Sequence, residues 1–180
     1  YSKISAPVDT SDYSNPAIAH AVAVGKQFDS TLVGCHVYAA PMHDYRFKQM
    51  EYTLPDEYLD EVELERQRKI HDSLFTLGLK LISESYLDQM QNLCAENGLA
   101  FEPRMMDGKH HTELVRDIES ADYDLVVLGA LGIGRVKDSE IGSVCDRVAR
   151  SAKRDVWVVK RLPKKEEPEG DTILVALEGS

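Results

Sequence analysis

Apolar residues along this chain change period several times, and each change marks an element. "KISAPVD" (Lys3 to Asp9) reads as a short strand. In "SNPAIAHAVAVGKQFD", Ala17, Ala21, Val24 and Phe28 recur at helical spacing, with Ser14 placed to cap and Pro16 in the first turn. "STLVGCHVYA" is strand-like from Thr31 to Tyr38. The first forty residues thus predict β-α-β, which implies parallel strands joined by a right-handed crossover.

Pro41 and Pro55 mark the next stretch as a loop. A helical pattern then runs from Asp56 to about Asn97, with Asn97-Gly98 as its stop. A straight helix of that length would be roughly 60 Å long, whereas a compact domain of this size is only about 40 Å across. One helix therefore cannot pack along its whole length. Ile70, Leu74, Leu77 and Leu81 form one stripe, and Leu87, Met90 and Cys94 form another that is out of phase with it. The front, "DEYLDEVELERQRK", is mostly charged. The expectation is a projecting or kinked first segment, read as a solvated face, followed by a packed second one.

"LAFEPRMMDG" predicts a third strand at or near a sheet edge, because Pro103 lacks a ladder donor. Thr112 to Ser120 predicts a short helix. "DLVVLG" has no polar alternation and so reads as a strand buried on both faces. Ile141 to Ala152 is helical in pattern, with Val144 and Val148 inward, and "DVWVVK" is a fifth strand. The order predicts a doubly wound α/β domain over residues 1–162. "LPKKEEPEGD" has linker composition, taken as 163–171. "TILVALEGS" aligns weakly with the start of the chain, Ile173 on Ile4 and Glu178 on Asp9. Residues 172–180 are accordingly expected to open a second copy of the domain.

Bulk properties narrow the class. The chain has 180 residues, is 43% hydrophobic and 29% charged, and carries a net charge of −10. It is globular in composition, and its acidity argues against nucleic acid or anionic membrane as partners. A small anion held by backbone N–H groups stays open. Three scattered cysteines, Cys35, Cys94 and Cys145, with no C-x-x-C, suggest a reduced, cytoplasmic protein.

The chemistry concentrates after the fourth strand, in "GALGIGRVKDSEIGS". Glycines at 129, 132 and 142 give G-x2-G-x9-G-S, with Gly134 extra. Ligands of open α/β sheets bind beyond the carboxyl ends of the strands. Glycine there lets a ligand approach the backbone, and a helix start suits phosphate. The same residues also read as a plain helix cap, Ser143 with Asp146 in an S-x-x-D box, and the local pattern leaves both readings open. A Walker P-loop is excluded by the missing Gly-Lys-Ser/Thr, and a dinucleotide fingerprint by the missing G-x-G-x-x-G. No nucleophile–base pair, metal triad or paired carboxylates stand at catalytic spacing.

"PVDTS", "DLVVLGALGIG", "IGSVCDRVARSAKRDVWVVK" and the G-x2-G-x9-G-S spacing together resemble the universal stress protein family, over nearly all of Lys3 to Pro163. That spacing is the family's signature for ATP-binding members. The resemblance implies a five-stranded parallel sheet in the order 3-2-1-4-5, dimerisation through strand five, and tandem pairs. It also implies a nucleotide site. Asp9, flanked by Pro7 and Thr10, would meet the adenosine end, and Val37 would face adenine through its backbone. Leu128 and Gly129 would line the ribose side. Gly132, Gly142, Ser143 and Val144 would cradle the phosphates of ATP, or of AMP or ADP, with Mg²⁺ on them.

Two features depart from the family pattern. Leu131 and Ile133 stand where basic side chains often flank the second glycine, and Asp138 and Glu140 bring negative charge that Arg135 and Lys137 offset. The leading expectation is a nucleotide-binding regulatory module, not an enzyme. Its rivals are a non-binding dimeric scaffold of the same fold and a slow ATPase or autophosphorylating protein with Ser143 as acceptor. His110 and His111 read as surface residues and His36 as a satisfied core or edge histidine. Trp157 and Val159 divide evenly between dimer seam and core.

Overall fold

The computed structural model describes residues 1–55, 57, 59–136 and 138–160, the side chains of 41–44 excepted. Five strands, β1 (Lys3–Pro7), β2 (Thr31–Tyr38), β3 (Phe101–Asp107), β4 (Leu125–Gly129) and β5 (Asp155–Val159), form one sheet in the order β3-β2-β1-β4-β5. Every pairing is parallel. The helices are α1 (Ser14–Phe28), α2 (Ala40–Glu51), α3 (Glu61–Glu96), α4 (His110–Ser120) and α5 (Ser143–Ser151). This is the fold class that the alternation of strand and helix predicts, in the strand order that the family resemblance implies.

Strand alternation divides the core in two. Ile4, Ala6, Leu125 and Val127 face one side, where Ala17, Ile18, Leu87, Met90 and Cys94 cover them. Val33, Cys35, Val126 and Leu128 face the other, against Leu114, Ile118, Cys145 and Val148. The unbroken apolar run of β4 follows, because both of its faces are under helices. Each such fully buried side chain is worth about 1.5–3 kcal/mol of transfer free energy.

β3 is an edge strand, as Pro103 predicts. Leu32 donates to the carbonyl of Ala100 and Gly108 to that of Tyr38. Even-numbered residues of β3 thus point their backbone groups at β2. Pro103 points outward, and its missing N–H costs the ladder nothing.

Three expectations need correction. Residues 40–51 are not a loop but helix α2, with Pro41 in its first turn, where a missing N–H is harmless. Ser14 is the first helical residue and does not cap α1. Its hydroxyl instead accepts from the N–H of Asp9 at 3.1 Å. Phe28 is exposed, its ring edge-on to Tyr1 at 5.5 Å, and Ile18 and Val22 fill the core beside Ala17 and Ala21.

α3 is a single helix of 36 residues, about 54 Å long. Asp60 caps it, accepting from Glu63 N–H at 2.9 Å, and Gly98 (φ +69°) ends it in the left-handed conformation. Only Ser83, Leu87, Met90 and Cys94 are buried, so the front half projects, as its length requires. α2 braces that half: Glu51 receives the Arg68 guanidinium at 2.7 Å, and the Phe47 ring stacks on His71 at 3.9 Å. The stripe Ile70, Leu74, Leu77 and Leu81 does not pack; these side chains are 45%, 65%, 56% and 58% exposed.

The linker and second-copy readings fall on 161–180 and lie outside the described residues, as does Lys137. Among the described residues no helix is long and apolar enough to cross a membrane.

Candidate functional site

The order of strand addition reverses between β1 and β4. From β1 the chain crosses to β2 on one side, and from β4 to β5 on the other. The connections leave in opposite directions, which opens a crevice beyond the carboxyl ends of these two strands.

Asp9 stands at its mouth. The β1–β2 ladder continues one residue past the strand, with Val8 N–H donating to Cys35 at 2.8 Å, and then β1 turns away. Two serines fix the turn: Ser14 Oγ holds the Asp9 N–H, and Ser11 Oγ donates to the Leu131 carbonyl at 3.2 Å. The Asp9 carboxylate accepts from Ser11 N–H at 2.9 Å through Oδ1 and from Ile133 N–H at 3.3 Å through Oδ2. A Cβ on Gly132 would lie 2.9 Å from that Oδ2. Asp9 and the glycine loop are therefore on the same rim of the crevice.

Gly142 closes the other end of the loop. Its N–H donates to the Ala130 carbonyl at 2.7 Å, and a Cβ on it would come within 3.7 Å of the Gly132 nitrogen. Gly142 is the N-cap of α5, in extended conformation and without a side-chain cap bond. The S-x-x-D box does not form: Ser143 is the first helical residue and is exposed. Asp146 N–H takes the Gly142 carbonyl at 2.9 Å. The amides of Ser143, Val144 and Cys145 stand ahead of any intrahelical partner, at the positive end of the helix dipole.

The remaining predicted positions divide by what they expose. Val37 is buried on the α4 side, but its backbone faces the crevice. Cys35 points its carbonyl at β1, so Val37, two residues on, points its N–H and C=O the same way, where β1 has already departed. Leu128 is likewise core, 4% exposed, and Val144 packs half-buried against the same cluster. Pro7 ends β1 opposite Cys35, and Thr10 is exposed. Gly129 has an internal reason to be glycine: a Cβ there would meet Tyr13 Cβ and carbonyl O at 2.8 Å. Sequence reasoning passes over Tyr13, Ser11 and this use of Ser14. The only signal is a hydroxyl repeat, S-x-x-S, directly after strand one.

Charge around the loop is partly balanced. Glu140 pairs with Lys160 at 3.6 Å, while Arg135 and Asp138 are both exposed. His36, half-buried on the interior strand β2, bonds the Val8 carbonyl through Nδ1 at 2.7 Å, a satisfied histidine but not one on a sheet edge. His111 contacts Arg147. Val159 is core, as one of its two readings has it, and Trp157 is 42% exposed. A shallow concavity of about 600 Å³ lies elsewhere, at the amino ends of the strands by Tyr1, Asp124 and Arg154. The Ser2 and Lys3 N–H groups beside it are already taken by Asp124 Oδ2, so strand direction and not volume locates the candidate site.

The family described as the universal stress protein family matches residues 1–160. A universal stress protein of Methanocaldococcus jannaschii is 29% identical over 166 residues, covering 92% of this chain and 85% of its own. Three solved structures share the fold. Universal stress protein UspA from Lactobacillus plantarum has a TM-score of 0.65 at 22% identity, covering 88% of this chain and 97% of its own. A universal stress protein in complex with cAMP has a TM-score of 0.57 at 20% identity, with coverages of 90% and 98%. A universal stress protein family member from Arabidopsis thaliana with AMP bound has a TM-score of 0.57 at 15% identity, with coverages of 94% and 97%.

Proposed function

Because the chain belongs to the universal stress protein family, we propose that it binds an adenine nucleotide in the crevice between β1 and β4 and acts as a regulatory module through its bound state. The observation that carries this reading is the contact between Asp9 Oδ2 and the glycine loop, which brings a carboxylate and a run of bare amides to one opening. The AMP and cAMP held by two proteins of the same fold support the adenosine class.

In this reading Val37 reads the base edge: its N–H donates to a ring nitrogen and its C=O accepts from the exocyclic amine. Asp9 accepts from the ribose hydroxyls, giving up Ile133 N–H to do so, with Pro7 and Thr10 shaping its approach. The backbone of Leu128 and Gly129 borders the sugar. Gly132, Gly142, Ser143 and Val144 offer N–H groups and one hydroxyl to the phosphates. Among the described residues no cluster of His, Cys, Asp or Glu could hold a metal ion. Mg²⁺ would therefore be held chiefly by phosphate oxygens and water, as it usually is. The missing basic flanks at Leu131 and Ile133 favour AMP or ADP as much as ATP.

Trp157, exposed on β5 with its ring 5.4 Å from His20, supports a homodimer formed edge to edge through that strand.

Native mass spectrometry of the purified protein tests the nucleotide reading, with thermal unfolding in ATP, ADP, AMP and cAMP beside it. Retained nucleotide is expected, or a stabilisation of about 2.7 kcal/mol at a hundredfold excess over the dissociation constant. The gain should vanish in Gly142→Val. No retained mass and no shift with any of the four at millimolar concentration overturns the proposal.

A further inference from the structure

The front half of α3 carries an apolar stripe that the domain does not use. Ile70, Leu74, Leu77 and Leu81 are spaced 4-3-4, which at 100° per residue places them within one narrow face. Ser83, Leu87, Met90 and Cys94 are the buried residues of this helix, and they project from the opposite side. The stripe is thus turned away from the sheet, and α2 occupies a third direction, through Arg68 and His71.

From this we infer that the stripe is a self-association surface, and that its occupant is the same stripe of a second copy of this chain, running antiparallel. The inference stands apart from the nucleotide reading and from pairing through β5.

Symmetry is the first argument. A 4-3-4 spacing is its own reverse. Turned end over end, a second helix brings Leu81 to Ile70 and Leu77 to Leu74, so one surface serves both partners, as an isologous twofold interface requires. Ser73 and Gly78 also exchange places under that operation, so small residues fall at matching heights. A hydrophobic seam of a/d type running over three turns is the geometry in which two helices interlock.

Gly78 is the second. It sits in a helix interior, where glycine costs about 1 kcal/mol relative to alanine. A Cβ there would meet nothing within 4 Å, so no packing inside the chain calls for its absence. It flanks Leu74, Leu77 and Leu81 on the wheel, where a missing side chain lets a second backbone come close.

Area and ends set the strength. Four side chains about half exposed leave an apolar patch on the order of 400 Å², large enough to signal an interaction site on a monomer. Two such patches with their polar flanks bury on the order of 1,000 Å², the lower limit for a specific interface and the range of transient ones. Two further turns out, Glu63 and Asp88 occupy the same face, and in an antiparallel pair these acids meet each other, which ends the seam. The expected association is weak and reversible. Because the sheet packs on the rear half of α3, the antiparallel arrangement also carries the two domains to opposite ends of the seam.

Sedimentation equilibrium of the full chain from micromolar to near-millimolar concentration tests this, comparing wild type with L74E/L77E. Both positions are exposed, so the far-UV spectrum and thermal midpoint of the variant should match wild type. Wild type should show a concentration-dependent rise in mass that the variant lacks, a doubling where the starting unit is a monomer and further growth where it is a β5 dimer with two free stripes. Nucleotide binding should be the same in both. Orientation is read by oxidation: a mixture of Leu74→Cys and Leu77→Cys chains should give mixed disulfide dimers, while Ile70→Cys alone should not cross-link. Equal masses for wild type and L74E/L77E at every concentration overturn the proposal, whatever else covers the stripe. Efficient cross-linking of Ile70→Cys to itself overturns the antiparallel arrangement.

Discussion

Asp9 and Ile133 are joined on one rim of the crevice: the carboxylate that follows β1 accepts the main-chain N–H of a loop residue 124 positions later at 3.3 Å. The bond is long and exchangeable, and it parks the carboxylate where a ribose would compete for it. Asp9→Ala should weaken adenine-nucleotide affinity roughly 10- to 100-fold, the range of a lost hydrogen bond to a charged group. Gly132→Ala should act in the same direction, because its Cβ would crowd Oδ2 at 2.9 Å. Isothermal titration of both variants with AMP and ATP checks this. Wild-type affinity in both would remove Asp9 from the site.

Two glycines of the same loop should respond oppositely to alanine. A Cβ at 129 meets Tyr13 backbone and side chain below 3.0 Å, so Gly129→Ala should cost about 1–3 kcal/mol as an overpacking change. Gly134 has open space around it and no left-handed φ, so Gly134→Ala should be neutral or slightly stabilising. Urea unfolding separates the two. Equal midpoints would show that Tyr13 moves freely and that residue 129 is glycine for some other reason.

That contrast shows how much the residues reveal before folding. "DLVVLG" announces a doubly covered strand because its period is plain, and Pro103 announces an edge because its chemistry is local. The spacing of Gly129, Gly132 and Gly142 marks the loop, yet it cannot say which glycine serves a ligand and which serves Tyr13, since Tyr13 reaches Gly129 only through the fold. The capping box failed for a related reason: Gly142 takes the cap position by bonding Ala130, a partner that exists only once β4 is in place. Helix α2 was hidden because two prolines suggest a loop, although one of them sits in a first turn. The stripe on α3 was legible as a pattern, but its exposure depends on where a straight 36-residue helix leaves the sheet.

Acid should loosen the strand amino ends through Asp124. Its carboxyl is held down to about 2 from 3.8 by the Ser2 hydroxyl and the N–H groups of Lys3 and Ser2. A depressed folded value gives stability that is present above pH 3.8 and lost as the pH falls through about 2. The contribution is small, because the group is exposed and screened. Acid titration of thermal midpoints should show wild type above Asp124→Asn near pH 5, with the gap closing between pH 4 and 2. A gap that stays constant with pH would contradict the assignment.

Beneath α4, Tyr123 donates to Asp117 Oδ2 at 2.8 Å, and Arg104 donates to Oδ1 of the same carboxylate. Cys35 lies beside it, its thiol pushed up to about 12 by burial. Removing one donor leaves a buried carboxylate short of a partner, so Tyr123→Phe should cost about 1–3 kcal/mol. For a chain of this size that lowers the melting temperature by about 2–4 °C per kcal/mol. Calorimetry decides, and an unchanged midpoint would mean that water replaces the phenol.

Pro103 turns its ring nitrogen, and no N–H, toward the outer flank of β3. A strand laid against that flank would lack a donor at its middle, so the sheet resists extension there. Growth by strand addition is left to the β5 flank. A molecule with one receptive flank can join a second copy and then has none to offer a third. An assembly built by strand addition at β5 alone would therefore stop at a pair and would not propagate into a ribbon.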